Sequence, residues 1–137
     1  MLLFFYYPGV TSQKFLKKER LKSKKAIDHL FRLRQSVHVY PLRLIWGKIE
    51  PPLSSSPIQF AVSVPKKSFP LAVNRNRIKR IIREVYRLNK QAIYEKLENK
   101  EIQYGWIFIY TGHKEPAFQE LEIVLHKITK KVLKRLD

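Results

Sequence analysis

The segment Asn74–Arg87, NRNRIKRIIREVYR, admits few folds, because one helical period gives it an apolar stripe and an opposed cationic face. At about 100° per residue, Ile78, Ile81, Ile82, Val85 and Leu88 gather on one side. That side has to be buried on a core. Lys79, Arg80, Arg83, Arg87 and Lys90 crowd the other side with Asn76, and only Glu84 interrupts them. Six of the fourteen side chains are cationic. Lys79, Arg83 and Arg87 stand at successive i,i+4 spacings, where like charges repel by about 0.2–0.5 kcal/mol per pair. A polyanion laid along the helix converts that repulsion into binding, with arginine forks gripping phosphate oxygens in pairs. An ordinary solvated face mixes acids with bases, so solvation alone does not account for this one.

The whole chain leans the same way. It has 28 Lys and Arg against 11 Asp and Glu, a net charge of +17 and a pI near 10.2, which makes nucleic acid the leading partner. Its 137 residues, 45% of them hydrophobic, suffice for one domain that buries about two-thirds of its unfolded surface. There is no cysteine, so disulfides and thiolate zinc sites are excluded and a reducing cytoplasm is expected. The apolar N-terminus MLLFFYYPGV lacks a basic flank and a cleavage site, and is too short to span a bilayer. Residues 1–13 are therefore read as a flexible leader and 14–137 as a single nucleic-acid-binding domain with no membrane partner.

The periodicity predicts an α+β chain in the order αββαβα. Ser23 precedes a helix over Lys24–Arg34 with Ala26, Ile27, Leu30 and Phe31 on its apolar side. Leu42–Ile49 and Ile58–Val64 are β-rich and flank the loop PPLSSSP, which predicts an antiparallel pair. The basic helix follows over Arg75–Lys90 and continues toward Leu97. Tyr104–Thr111, YGWIFIYT, is apolar nearly throughout and predicts a strand buried on both faces. Pro116 opens a last helix to Leu136 with a stripe of Ala117, Leu121, Val124, Leu125, Ile128 and Val132.

Cations cluster three times: seven in Lys14–Lys25, nine in Lys66–Lys90 and five in Lys127–Arg135. The third reads as a solubilising helix end that suits the negative pole of the macrodipole. Carboxylates are too scattered for a two-metal nuclease: the only aspartates are Asp28 and Asp137, and Glu98/Glu101 and Glu120/Glu122 read as solvated helix charges. His29, His38, His113 and His126 have neither metal-ligand spacing nor a nucleophile beside them. Three classes of function remain beside the binding of a catalytic partner. A ribosomal or RNA-assembly protein shares the charge and size; a membrane-surface protein would need an aromatic belt on the basic helix; an autonomous metal nuclease needs the missing carboxylates.

Ser63-Val64-Pro65-Lys66-Lys67, then Ala72-Val73 and Arg75-Asn76-Arg77-Ile78-Lys79-Arg80 with Arg83, resembles the signature of the protein subunit of bacterial ribonuclease P. Arg20-Leu21-Lys22 followed by Phe31 is similar to that family's first-helix region. The resemblance implies a small α-β sandwich with a left-handed βαβ crossover, although generic connections are right-handed in about 98% of cases. It implies a monomeric protein, one per RNA, that binds a catalytic RNA and the 5′ leader of precursor tRNA and assists endonucleolytic removal of the leader. Chemistry and magnesium would belong to the RNA, with no catalytic residue and no metal in the protein. Lys66, Lys67, Arg75, Asn76, Arg77, Lys79, Arg80, Arg83 and Arg87 would face RNA. Arg20, Lys22, Ile27 and Phe31 would line a leader cleft between the first helix and the sheet, with Ile27 standing where the family usually has an aromatic.

Overall fold

A computed structural model describes residues 17–97 and 101–136. The expected leader, Lys14, Glu98 and Asp137 lie outside the described residues. A 3-10 turn at Lys17–Glu19 leads into α1 (Lys24–Leu33), β1 (Ser36–Val39), β2 (Leu42–Ile49), β3 (Ile58–Ser63), α2 (Ala72–Glu95), β4 (Gln103–Tyr110) and α3 (Phe118–Arg135). One mixed sheet runs β1-β2-β4-β3, with β4 antiparallel to β2 and parallel to β3. Helices α2 and α3 cover one face around Trp106, Phe108, Tyr86 and Ile128; α1 covers part of the other around Leu30, Ile45, Ile49 and Ile107. The apolar run of β4 is thus explained, since seven of its eight residues are buried.

Two expectations are corrected. Leu42–Ile49 and Ile58–Ser63 do not pair, because β4 inserts between them. The proline-serine loop is the bridge that makes room: the Gln103 amide at the start of β4 donates to the Ser54 and Ser56 carbonyls, and Leu53 N donates to Gln103 Oε1 at 2.8 Å. A fourth strand, β1, was missed, though Val37 and Val39 alternate with Ser36 and His38 at the period of a strand.

The hand of the β3–α2–β4 crossover follows from one residue. Phe60 turns its ring to α2, stacked on Tyr86 with centroids 4.0 Å apart, and its carbonyl accepts from Leu21 N at 3.0 Å on the edge away from β4. The neighbouring Pro57 carbonyl points the other way, to Tyr104 N of β4. For an L-residue with its strand rising and its side chain toward the viewer, the backbone polar groups point right. Here they point away from β4, so β4 lies to the left with the helix in front: the crossover is left-handed, as the resemblance implied and against the generic rule.

Helix α1 starts at Ser23, whose Oγ accepts from Ala26 N at 3.2 Å, and ends on Arg34 at φ 55. It lies close to the sheet because Gly47 and Gly105 face each other in register beneath it. A Cβ added at Gly105 meets Leu30 Cδ1 at 2.5 Å, and one at Gly47 meets Leu33 Cδ1 at 2.6 Å. Leu30 is wholly buried and has little room to retreat. Gly105→Ala is therefore expected to cost about 1–3 kcal/mol by overpacking, read as a lower midpoint in urea with an unchanged slope. A midpoint equal to that of the parent chain would show that α1 is not seated on the glycine pair.

Candidate nucleic-acid interface

Helix α2 presents its apolar stripe as expected, with Ile78, Ile82, Val85 and Ile93 buried and Ile81 and Leu88 half-buried; Tyr86, unforeseen, is also buried. The start of the helix is short of negative charge. No acid occupies its first turn, and Leu71 at the N-cap supplies no side-chain bond, so the positive pole of the macrodipole adds to the cations beside it. An anion placed there from outside relieves both.

The expected basic residues separate into groups. Arg75 is turned back on its own chain: its Nη1 donates at 2.8 Å to the carbonyls of both Phe69 and Pro70, fixing the loop that carries Lys66 and Lys67 into the helix. Arg77 pairs with Glu115 at 3.2 Å, both side chains about half exposed. Such a pair is worth about 0–1 kcal/mol, so a phosphate can displace the carboxylate cheaply. The Glu84 carboxyl is held below its usual range, first by the hydrogen bond from Arg87, and Arg87 is raised by the same bond. Asn76, Lys79 and Arg80 make no side-chain hydrogen bond or ion pair among the described residues. Arg80, Lys66 and Lys67 are exposed.

Lys90 corrects the face drawn from periodicity. It is 4% exposed, and its Nζ lies 2.7 Å from Oε1 of Glu19, itself 2% exposed. Tyr94 donates its hydroxyl proton to the other oxygen of Glu19, and Tyr86 and Tyr94 share a hydrogen bond at 3.0 Å. Burial pushes both phenols up, Tyr86 strongly. Lys90 is thus a structural group that ties the N-terminal turn to α2.

The leader-cleft residues also divide. Arg20 and Lys22 lie at the outer edge of β3, beside Arg83 of α2. Ile27 and Phe31 lie on α1, across the sheet. Ile27 packs half-buried on the smaller core, whereas Phe31, expected on the apolar side, is 46% exposed because Leu30 and Ile27 fill the contact with the sheet. The sheet adds a row the sequence reading missed: His38, Arg43, Ile109 and Ser63 are register partners across all four strands, on the face of α1. His38, Arg43 and Ser63 are exposed and Ile109 half-buried, and His38 Nε2 is 3.1 Å from Thr111 Oγ1. Their alternation within each strand was readable; their alignment was not. The third cationic cluster is exposed along the end of α3, where Arg135 donates to the Ser36 carbonyl at 3.0 Å. No helix among the described residues is long and apolar enough to cross a membrane.

Comparison with known proteins points to one family. The Ribonuclease P family model matches residues 15–133. The chain is 34% identical over 111 residues to the ribonuclease P protein component of Porphyromonas gingivalis, covering 81% of this chain and 80% of that one. It is 30% identical over 133 residues to that of Chlorobium phaeobacteroides, covering 88% and 91%. Its fold is similar to the solved structure of Staphylococcus aureus RNase P protein, with a TM-score of 0.65 at 22% identity over 83% of this chain and 94% of that one. The left-handed crossover, the outward cations of α2 and the extent of these matches lead to one conclusion: the chain belongs to the ribonuclease P protein component family.

Proposed function

We propose that the outward side of α2, with Lys66 and Lys67 before it, seats the catalytic RNA of ribonuclease P, and that the open face beside α1 holds the single-stranded 5′ leader of precursor tRNA. The observation that carries this reading is the start of α2: Lys79 and Arg80 follow the positive end of the helix dipole without an ion pair among the described residues, and the first turn holds no acid. On the other face, exposed Phe31 offers a ring for base stacking, and Arg43 lies in the strand row that a leader backbone can follow. One protein serves one RNA, in the cytoplasm. Magnesium keeps several waters and binds through one or two carboxylates with substrate phosphates, so the phosphates of an RNA suit it better than this cationic surface. We assign the catalytic ions to the RNA, and to the protein the tasks of screening phosphate repulsion and orienting the leader.

The test mixes the full chain with its cognate catalytic RNA and precursor tRNA at low magnesium. The expected result is cleavage at the mature 5′ end where the RNA alone is nearly inactive, with the gain shrinking as magnesium is raised. Equal rates with and without the protein at every magnesium concentration would refute the reading.

A further inference from the structure

We propose that Arg20, Lys22 and Arg83 grip a single RNA phosphodiester in a notch at the outer edge of β3, so that residues expected on two different RNA contacts act on one group. The inference rests on the reading above and refines it.

Backbone geometry builds the notch. Arg20 bridges Phe60 in parallel, and Leu21 N bonds the Phe60 carbonyl, so the N-terminal arm adds to the edge of β3. Leu21 is 5% exposed in the core beneath α1, and strand alternation sends Arg20 to the opposite side, where α2 presents Arg83. The space enclosed is about 290 Å³; Arg20, Lys22 and Arg83 supply its charge and Phe60, Ala61 and Val62 its floor, with no acid among its described lining residues. It has room for a phosphate group, since one water takes about 30 Å³ of liquid. Arg83 is held below the ordinary guanidinium range, first by burial and then by the charge of Arg20. Two like charges drawn together in a notch are relieved by one anion between them, whose two non-bridging oxygens can accept from both guanidinium groups at once.

The arm is already in place. Glu19 holds it to Lys90 and Tyr94, and the Lys18 carbonyl accepts from Ser54 Oγ at 2.7 Å. A phosphate entering the notch therefore does not have to order this segment, which favours affinity.

The phosphodiester can come from the catalytic RNA or from precursor tRNA, and a double-mutant cycle separates them. Arg20→Gln, Arg83→Gln and the pair, in the full chain, are measured for affinity to the RNA subunit and, once assembled, for affinity to precursor tRNA. The expected result is that in one of the two measurements each single variant loses about tenfold or more while the pair loses little beyond either one, because both grip the same oxygens. The salt slope should fall by about one for singles and pair alike, and Arg20→Lys should recover part of the loss by restoring charge without the fork. Additive losses, or Arg20 acting in one measurement and Arg83 in the other, would overturn the shared phosphate while leaving the wider reading intact. No loss in either measurement, with an unchanged melting temperature, would overturn both.

Discussion

Replacing Lys90 with Met should destabilise the fold by about 3–5 kcal/mol, the usual cost of removing one member of a buried ion pair. The reason is what stays behind. Glu19 is 2% exposed, and its carboxylate is placed for the ammonium 2.7 Å away and the Tyr94 hydroxyl. Without Lys90 the charge keeps its burial and loses most of its compensation. For a domain whose total stability is on the order of 5–15 kcal/mol this is a large share, read as a fall in melting temperature of roughly 10–20 °C. The double variant Glu19→Gln with Lys90→Met should regain much of the loss, since no charge is then buried. A single variant that melts within about a degree of the parent would show that the pair is open to water. Because the arm carries Arg20 and Lys22, the single variant should also bind RNA more weakly than its folded fraction explains.

The second large effect is ionic. Lys66, Lys67, Arg77, Lys79, Arg80 and Arg83 present six cations on the α2 side, with Arg20 and Lys22 beside them, so six to eight phosphates come within reach. At about 0.7–0.9 of slope per phosphate, affinity for the RNA subunit should fall by about 10³-fold or more between roughly 50 and 200 mM salt. Arg80→Ala with Arg83→Ala should lower that slope by about two and leave the melting temperature close to that of the parent chain, because both side chains are exposed and fill no core volume. A sharp fall in stability with RNA affinity retained would mean that this side of α2 is packed inward. An affinity nearly independent of salt would remove the electrostatic basis of the interface.

What sequence alone determined was whatever repeats locally. The helical period of Ile78, Ile82 and Val85, the stripe of Leu121, Val124, Leu125, Ile128 and Val132, and the unbroken apolar run of β4 each depend on neighbours within a turn or a strand, so their burial was legible. The family was legible for a related reason: the Lys-Lys and Arg-Asn-Arg run is a contiguous pattern with a definite place between two strands. Tertiary structure decided everything that pairs distant residues. The order β1-β2-β4-β3 required β4 to enter between strands joined by a loop that looked like a hairpin. Gly47 and Gly105 became a seat for α1 only when register placed them side by side. Lys90 sits on the charged side of a helical wheel, yet Glu19, 71 residues earlier, draws it into the core. Arg20 and Arg83 likewise meet because a parallel bridge to Phe60 brings the N-terminal arm beside α2. Periodicity measures which way a side chain points from its own helix or strand, whereas burial and charge pairing depend on what the rest of the chain places opposite it.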